Sequence, residues 1–389
     1  MNGDRMQKKK FLIVAHNIRF LVQFVMNDMK ILQDMGYEVH CAVNYKDDHV
    51  IDGAFQTLER AGIIIHQIDC ARSPLHILQN GKALRQLVKL IKQEGYAGLH
   101  CHTPIGGVLG RIGGKLGGVE KILYTGHGFH FYKGSSLASW LLYFPVEWIC
   151  SFMTDVIITI NHEDYNFALQ HMHAGKAVCI PGVGVDLNRF CPAEDRRHEI
   201  RQRIRRELGI PQDAVMLLSV GEVNDNKNHR VIMEALKRLN RKDIFYVICG
   251  KGPLEESHKS YCRECGLTNR VIFAGFQDEI EDFYRAADMN LFPSKREGLG
   301  LAAVEGMACG TPLIASDTRG SREYCIDGKN SLVCSWQSAD EFTSAISRLL
   351  LDDKYAKNIA TQGVQMARKF GLNIANGIMQ KVYQDALHF

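Results

Sequence analysis

The stretch SKREGLGLAAVEGMACGTPLIAS, Ser294–Ser316, sets two carboxylates, Glu297 and Glu305, eight positions apart around Gly298 and Gly300. The apolar run MNLFP precedes it, LAAVEGMA has the Ala and Leu content of a helix, and TPLIAS reads as a further short strand. A strand, a glycine turn, a helix and another strand make a βαβ unit, which implies a parallel sheet. The turn falls at a helix start, where backbone N–H groups lack partners and the helix dipole favours negative charge. A phosphate or diphosphate is the natural occupant.

Carboxylates repel such an anion, so Glu297 and Glu305 belong beyond its two ends, where each accepts hydrogen bonds from hydroxyls. A sugar nucleotide has hydroxyls at both ends. If the eight positions were helical they would cover about 12 Å at 1.5 Å per residue, the scale of a sugar-diphosphate-ribose unit. The reading places ribose hydroxyls at Glu305 and a transferred hexose at Glu297.

The same rhythm extends in both directions. KFLIVAH, YEVHCAVNY, IIIHQID, AGLHCHT, KILYTGH, DVIITI and AVCIPG alternate with longer helical patterns, among them IDGAFQTLERAG, up to about Pro181. A Gly-rich, charged crossing, GVGVDLNRFCPAEDRRHEI, separates them from VMLLSVG, FYVICGKG, RVIFAGF, DMNLFPS, TPLIASD and NSLVCS. The expected fold is α/β: two Rossmann-like doubly wound parallel-sheet domains, 1–187 and 188–371, with a C-terminal helix of about 372–389 packing back on the first. Ligands of such sheets bind outside the carboxyl ends of the strands, so function is expected in a cleft that the two domains face.

Composition narrows the class. With 389 residues, 46% apolar and 23% charged, the chain is long enough for two cores and ordinary for a globular protein. Its net charge of +4 is small and mixed along the sequence, so no nucleic-acid partner is expected. Arg196–Arg206 carries six arginines in eleven positions and reads as a solvated helix, with phosphate-bearing lipid as the other option. The 12 cysteines are scattered singly, as reduced core thiols of a cytoplasmic protein are. The pair Cys262 and Cys265 lacks a second pair at zinc spacing.

Lys8, Lys9 and Lys10 precede an apolar run too short for a signal peptide, which reads as a strand. SLASWLLYFPVEWICSFMTDVIITI is interrupted by Pro145, Glu147 and Asp155 and so falls short of a membrane span. His100 and His102 in HCH share one strand face at a metal-like spacing, but no third ligand is in view and no metal is expected.

The Glu297–Glu305 string resembles the E-x7-E signature of the retaining, nucleotide-sugar-dependent glycosyltransferases of the GT-B fold, the "group 1" family. The resemblance extends over nearly the whole chain. It implies that Glu297 contacts the donor sugar, that the amides of Gly298, Leu299, Gly300 and Leu301 hold the diphosphate, and that Glu305 binds ribose. In SVGEVNDNKNHRVIMEAL, Gly221 turns the chain after a strand and Lys227 stands where a compact cation neutralises the diphosphate. Many family members have an arginine just after that glycine. Glu222 stands here instead, with Arg296 or Lys295 as possible substitutes. CGKGPLEE, with Gly250 and Gly252, resembles the family's G-x-G-P turn, and GFQDEI resembles its base-binding loop, which makes Phe276 a neighbour of the base.

In the first half, YTGHGFHFYKG resembles the family loop whose histidine lies beside the transferred sugar, here His127. His102 and Thr103 are expected to line the acceptor side; His16, His100, His130 and Lys133 carry less weight. The loop and the aromatic stretch after it look like bacterial exopolysaccharide and capsule glycosyltransferases that use polyprenyl-diphosphate sugars. This implies a lipid-linked glycan acceptor and peripheral contact with an anionic membrane at its inner face, where Tyr143, Phe144, Trp148 and Phe152 would dip into the interface. A UDP-sugar is the implied donor, with catalytic weight on Glu297, His127 and Lys227 and no cofactor. Alternatives are another GT-B enzyme, such as a nucleotide-sugar epimerase or a phosphorylase, and a binding subunit that has lost transfer. A dehydrogenase is disfavoured because no G-x-G-x-x-G follows the first strand.

Overall fold

A computed structural model describes residues 8–46 and 53–387 of the chain. The first two residues of the expected segment IDGAFQTLERAG, and the last two of the expected helix 372–389, lie outside the described residues. The chain divides into two compact units, Met1–Val183 with Asn373–Phe389, and Gly184–Leu372. The first division thus falls at 183/184, against the expected 187/188.

In the amino-terminal unit the strands are β1 (Lys10–Asn17), β2 (Glu38–Asn44), β3 (Ile64–Gln67), β4 (Gly98–His102), β5 (Ile122–Gly126), β6 (Val156–Thr159) and β7 (Lys176–Cys179). The helices are α1 (Ile18–Phe24), α2 (Met26–Asp34), α3 (Ala54–Arg60), α4 (Ile77–Glu94), α5 (Pro104–Gly117), α6 (Leu137–Ser151) and α7 (His162–His171), completed by α15 (Leu372–Leu387) from the chain end. All seven strands pair in parallel in the order β3-β2-β1-β4-β5-β6-β7. Helices on both faces bury the central strands, which is why these read as unbroken apolar runs rather than alternating ones. Phe11, Leu12, Ile13 and Val14 of β1 are fully buried. α15 docks through Tyr383, whose ring edge meets Phe11 at 5.9 Å and whose hydroxyl meets His100 Nδ1 at 2.7 Å.

The carboxy-terminal unit repeats the plan with α8 (Arg197–Glu207), β8 (Val215–Val220), α9 (His229–Leu239), β9 (Ile244–Cys249), α10 (Glu255–Glu264), β10 (Val271–Gly275), α11 (Ile280–Ala286), β11 (Met289–Phe292), α12 (Leu301–Ala308), β12 (Leu313–Ser316), β13 (Leu332–Cys334), α13 (Ala339–Leu351) and α14 (Asp353–Ala367). Its six-stranded parallel sheet runs β10-β9-β8-β11-β12-β13. Within this unit the two chain crossings are tied together, Val185 N–H to the Phe370 carbonyl and Leu372 N–H to the Val185 carbonyl, both at 2.8 Å.

The structure corrects three sequence expectations. α8 is not simply a solvated helix: Arg205 is fully buried on Asp288 at 2.7 Å, Arg201 bonds the same carboxylate, and Arg203 bonds Asp282 of α11. Pro145 does not end the aromatic segment but sits inside α6. Among the described residues no helix is long and apolar enough to cross a membrane. Tyr143 and Phe144 turn inward onto the core, Phe144 against Phe131 and Phe167. The exposed face of α6 is instead formed by Leu137, Leu141, Leu142, Val146, Trp148 and Ile149, with Phe152 just beyond.

Beneath α6 lies a charged pair. Arg111 of α5 is wholly buried, stacks at 3.9 Å on the Tyr124 ring and approaches Glu147 at 2.8 Å, while Tyr124 donates to the other oxygen of Glu147 at 3.0 Å. The pair joins α5, β5 and α6, but desolvation offsets much of its attraction. Replacing Arg111 by Met strands a buried carboxylate, with an expected cost of about 3–5 kcal/mol. The double change Arg111→Met, Glu147→Leu recovers most of that loss, measured as urea denaturation midpoints of the three chains.

Candidate active site

In the second sheet β8 and β11 are neighbours, and the strand order reverses between them. The loops leaving their carboxyl ends therefore diverge, which is where doubly wound sheets hold ligands. Lys227 lies in the loop after β8 and Glu297 in the loop after β11.

Two asparagines lock these loops together. Asn228, in the left-handed region at φ 53°, donates from Nδ2 to the carbonyls of Pro293 at 3.1 Å and Trp336 at 2.8 Å. Asn226 donates to the Arg296 carbonyl at 2.9 Å, and the Lys295 N–H returns to the Asn226 carbonyl at 2.8 Å. So held, Lys227 Nζ meets Glu297 Oε1 at 2.6 Å and stands 5.2 Å from the centre of the Phe292 ring. The two side chains are 22% and 13% exposed, so water screens this pair less than a surface ion pair.

Glycine is required where these loops pack. Gly300 caps α12 with φ 93°, and a Cβ there would stand 2.7 Å from the Phe292 ring. At Gly250, φ 151°, a Cβ would come to 1.9 Å from the Gly221 carbonyl oxygen, so the loops after β8 and β9 touch backbone to backbone. Gly252 closes the same contact. The Tyr324 hydroxyl donates to the Leu299 carbonyl at 3.1 Å and so fixes the turn that leads through Gly298 and Leu299 to Leu301, the first residue of α12. Helix begins only at Leu301, so the estimate of eight helical rises between Glu297 and Glu305 does not hold.

Glu305 lies in the second turn of α12, half-buried, with Tyr284 donating to Oε2 at 3.3 Å. Burial pushes its carboxyl up to about 7, against the opposing influence of the Tyr284 hydroxyl and the Arg189 charge. Arg189 is itself oriented by Glu281 at 2.8 Å. Phe276, after β10, is 73% exposed, a large ring with its face open. Glu222 is exposed, and its carboxylate accepts from Asn224 Nδ2 at 2.8 Å. Of the two substitute cations, Lys295 is committed to Asp225 at 2.6 Å, whereas Arg296 is exposed and its guanidinium has no hydrogen-bond partner among the described residues.

A second polar cluster lies at the carboxyl ends of β4 and β5 in the amino-terminal unit. His127 is packed against Phe20 at 4.9 Å, and its Nε2 meets His102 Nδ1 at 3.2 Å. His102 is 1% exposed, so it stands behind His127 rather than lining an acceptor surface as expected. The third group that the HCH spacing did not offer is Asp28 of α2: potential ligand atoms of Asp28, His100 and His102 lie within 4.8 Å of one another. Both ring nitrogens of His100 are bonded at 2.7 Å, to the hydroxyls of Tyr383 and Thr125, and a cation there would have to break one of these bonds. Burial lowers His100 to about 3 and His127 to about 4, and holds His102 well below the usual histidine value, so all three are neutral near pH 7.

Two doubly wound units, the second with a lysine, a glycine turn and two carboxylates at its switch point, define the GT-B architecture. Residues 12–161 match the model "Glycosyl transferase 4-like" and residues 200–366 match "Glycosyl transferases group 1". The chain is 35% identical over 369 residues, 93% of each sequence, to EpsD of Bacillus subtilis (strain 168), itself assigned as a glycosyltransferase. It is 28% identical over 311 residues, 78% of this chain and 79% of the other, to the Escherichia coli UDP-Gal:alpha-D-GlcNAc-diphosphoundecaprenol alpha-1,3-galactosyltransferase. Among solved structures, Anabaena HepE in complex with UDP-glucose shares the fold with a TM-score of 0.79 at 18% identity, over 97% of this chain and 99% of that one. The chain belongs to the group 1 glycosyltransferase family.

Sequence reasoning missed Tyr284, Arg189 and Tyr324 in the carboxy-terminal unit and Asp28 in the amino-terminal cluster, each brought in from a distant segment. Asn228 had a local cue, as a side chain of the capping type just before a helix.

The raised carboxyl of Glu305 has a thermodynamic consequence. Its folded value, about 7, exceeds that of an unfolded glutamate, so its contribution is present at low pH and is lost as pH rises between roughly 4 and 7. Glu305→Gln is therefore expected to gain stability relative to the parent over that window, on the order of 1–2 kcal/mol after allowance for partial solvation. Denaturation at pH 4.5 and 7.5 checks this. A difference that shrinks as pH rises would contradict it.

Proposed function

We propose that the chain is a retaining glycosyltransferase that moves a hexose or N-acetylhexosamine from a UDP-sugar to a polyprenyl-diphosphate-linked glycan in bacterial exopolysaccharide or capsule synthesis. The observation that carries the donor assignment is the Lys227–Glu297 contact of 2.6 Å beside the glycine-capped start of α12. A fixed cation and the first amides of a helix are what a leaving diphosphate needs as its negative charge grows. Lys227 and the amides of Gly298–Leu301 take that charge, and the reading requires no metal. Glu297 accepts from hydroxyls of the transferred sugar, Glu305 from the ribose, and Phe276 offers its ring to the base. His127 makes a hydrogen bond with a sugar hydroxyl. No side chain is assigned covalent attack; Glu297 and His127 position the sugar and support its charge.

The acceptor assignment leans on the E. coli relative, whose name specifies a diphosphoundecaprenol-linked substrate. It also leans on the amino-terminal unit, where α6 exposes its apolar face and Leu75, Ile77 and Leu78 stand 75–91% exposed at the start of α4. α4 itself carries Lys82, Arg85, Lys89 and Lys92, so an apolar anchor is accompanied by charges that suit anionic head groups.

Three measurements test the reading. With UDP-sugars as donors, Glu305→Ala is expected to weaken binding of the nucleotide roughly 10- to 100-fold through loss of hydrogen bonds to a charged group. Lys227→Ala and Glu297→Ala lower turnover by about 100-fold or more. Unchanged nucleotide affinity in the first variant would contradict the ribose assignment. For the membrane contact, the parent is expected to float with phosphatidylglycerol-containing liposomes and Leu141→Ser, Ile149→Ser to remain at the bottom of the gradient. Equal flotation of the two chains would sink the α6 assignment.

A further inference from the structure

His127 makes one hydrogen bond among the described residues, between its Nε2 and His102 Nδ1 at 3.2 Å. Both rings are neutral near pH 7, so a single proton lies between those two nitrogens, and its owner decides what His127 can offer from Nδ1. Three observations bear on the owner. His102 Nε2 is buried with no hydrogen-bond partner. Asp28 brings a carboxylate to the cluster, within the 4.8 Å set that includes His102. Asp28, His102, Thr125 and His127 line one small cavity of about 10 Å³, the room of a single water.

An unpartnered buried imidazole nitrogen is satisfied if it donates its proton to a carboxylate, directly or through one water, and such a donor offsets the burial that pushes Asp28 up to about 7. We propose that Asp28 and His102 are positioning residues that act through His127: Asp28 holds His102 as its Nε2–H tautomer, so that His102 Nδ1 accepts from His127 Nε2–H and His127 Nδ1 is left as an acceptor for a sugar hydroxyl. The chain of three groups crosses from α2 through the end of β4 to the loop after β5. His100, the remaining titratable neighbour, cannot replace Asp28 in this role because its nitrogens are held by Tyr383 and Thr125. The backbone supports a built site here. Thr103, immediately after His102, sits at φ 64°, a left-handed value rarely adopted by a β-branched residue, and its hydroxyl accepts from the His16 N–H at 3.2 Å.

The role of His127 rests on the function proposed above, but its tautomer can be read without substrate. Long-range ¹H–¹⁵N spectra of the full chain labelled at histidine should show His127 as the Nε2–H tautomer, with its assignment fixed by the loss of its peaks in His127→Gln. In His102→Ala the fixed tautomer should give way to a mixture. Kinetics give the second readout: His102→Ala should lower kcat roughly tenfold, as for one lost hydrogen bond, with the donor KM within about twofold. His102→Asn, whose side-chain oxygen can occupy the place of Nδ1, should restore most of that rate. An Nδ1–H tautomer at His127, a tautomer indifferent to His102→Ala, or no advantage of Asn over Ala would each overturn the proposal. A chain with the expected tautomers that turns over no sugar nucleotide would refute the functional reading instead.

Discussion

The contact between Lys227 and Glu297 depends on sheet topology before it depends on either residue. Seventy positions separate the two, and they meet because β8 and β11 are adjacent and the asparagines between their loops remove the remaining freedom. Two opposite charges 4 Å apart interact by about 4 kcal/mol at the effective dielectric of a protein surface. At 2.6 Å and largely shielded from water, this pair keeps a lysine ordered that would otherwise lose rotamer entropy on meeting a ligand. In the proposed reaction a diphosphate competes with Glu297 for that ammonium. As Lys227 turns toward phosphate, Glu297 regains oxygens with which to accept sugar hydroxyls. One exchange of partners thus connects the recognition of both ends of the bond to be broken.

The rest of the carboxy-terminal unit protects that arrangement. Tyr324 fixes the turn before α12, and the close backbone contact at Gly250 fixes the loop after β8 from its other side. Glu305 differs from Glu297 in having no cation in contact: Tyr284 is its only side-chain donor among the described residues, and burial raises its proton affinity. The two acids of one motif are therefore held in different electrostatic states. In the proposed reading Glu297 is neutralised by a lysine that a phosphate can claim, and Glu305 awaits a neutral diol whose hydroxyls donate to the ionised form.

Much of this was legible in the sequence because fully buried parallel strands leave unbroken apolar runs. LLSV, YVIC and MNLF announce themselves with no partner in view, and the glycine turns after them mark the carboxyl ends. Glu297, Lys227 and Glu305 were legible through spacing within one loop or one helix. What could not be read was any property set by a residue far along the chain. His102 was expected to line the acceptor side. Phe20 and His127 cover it, and Asp28, 74 positions away, supplies the acid that HCH lacks. Arg205 misled for the same reason, since six arginines on a short helix look solvated until Asp288 is placed beneath them.

α6 shows a different limit, one of pattern rather than distance. LASWLLYFPVEWICS is apolar on almost every side, so periodicity cannot say which rings turn inward, and the larger rings were assigned to the outside. Packing decides otherwise. Phe144 joins Phe131, Trp140 and Phe167 in an edge-to-face cluster, which leaves mainly aliphatic side chains outward. Pro145 survives in the helix for a related reason. It lacks the N–H that would bond the carbonyl of Leu141, and both residues are exposed, so the unmade bond falls on the outer side, where the carbonyl is not sealed in the core. A helix that tolerates this defect only on its outer face is constrained to one rotation about its axis. The aliphatic side chains left outward by that rotation are then a consequence of core packing and proline chemistry together, and they present one continuous surface to whatever covers it.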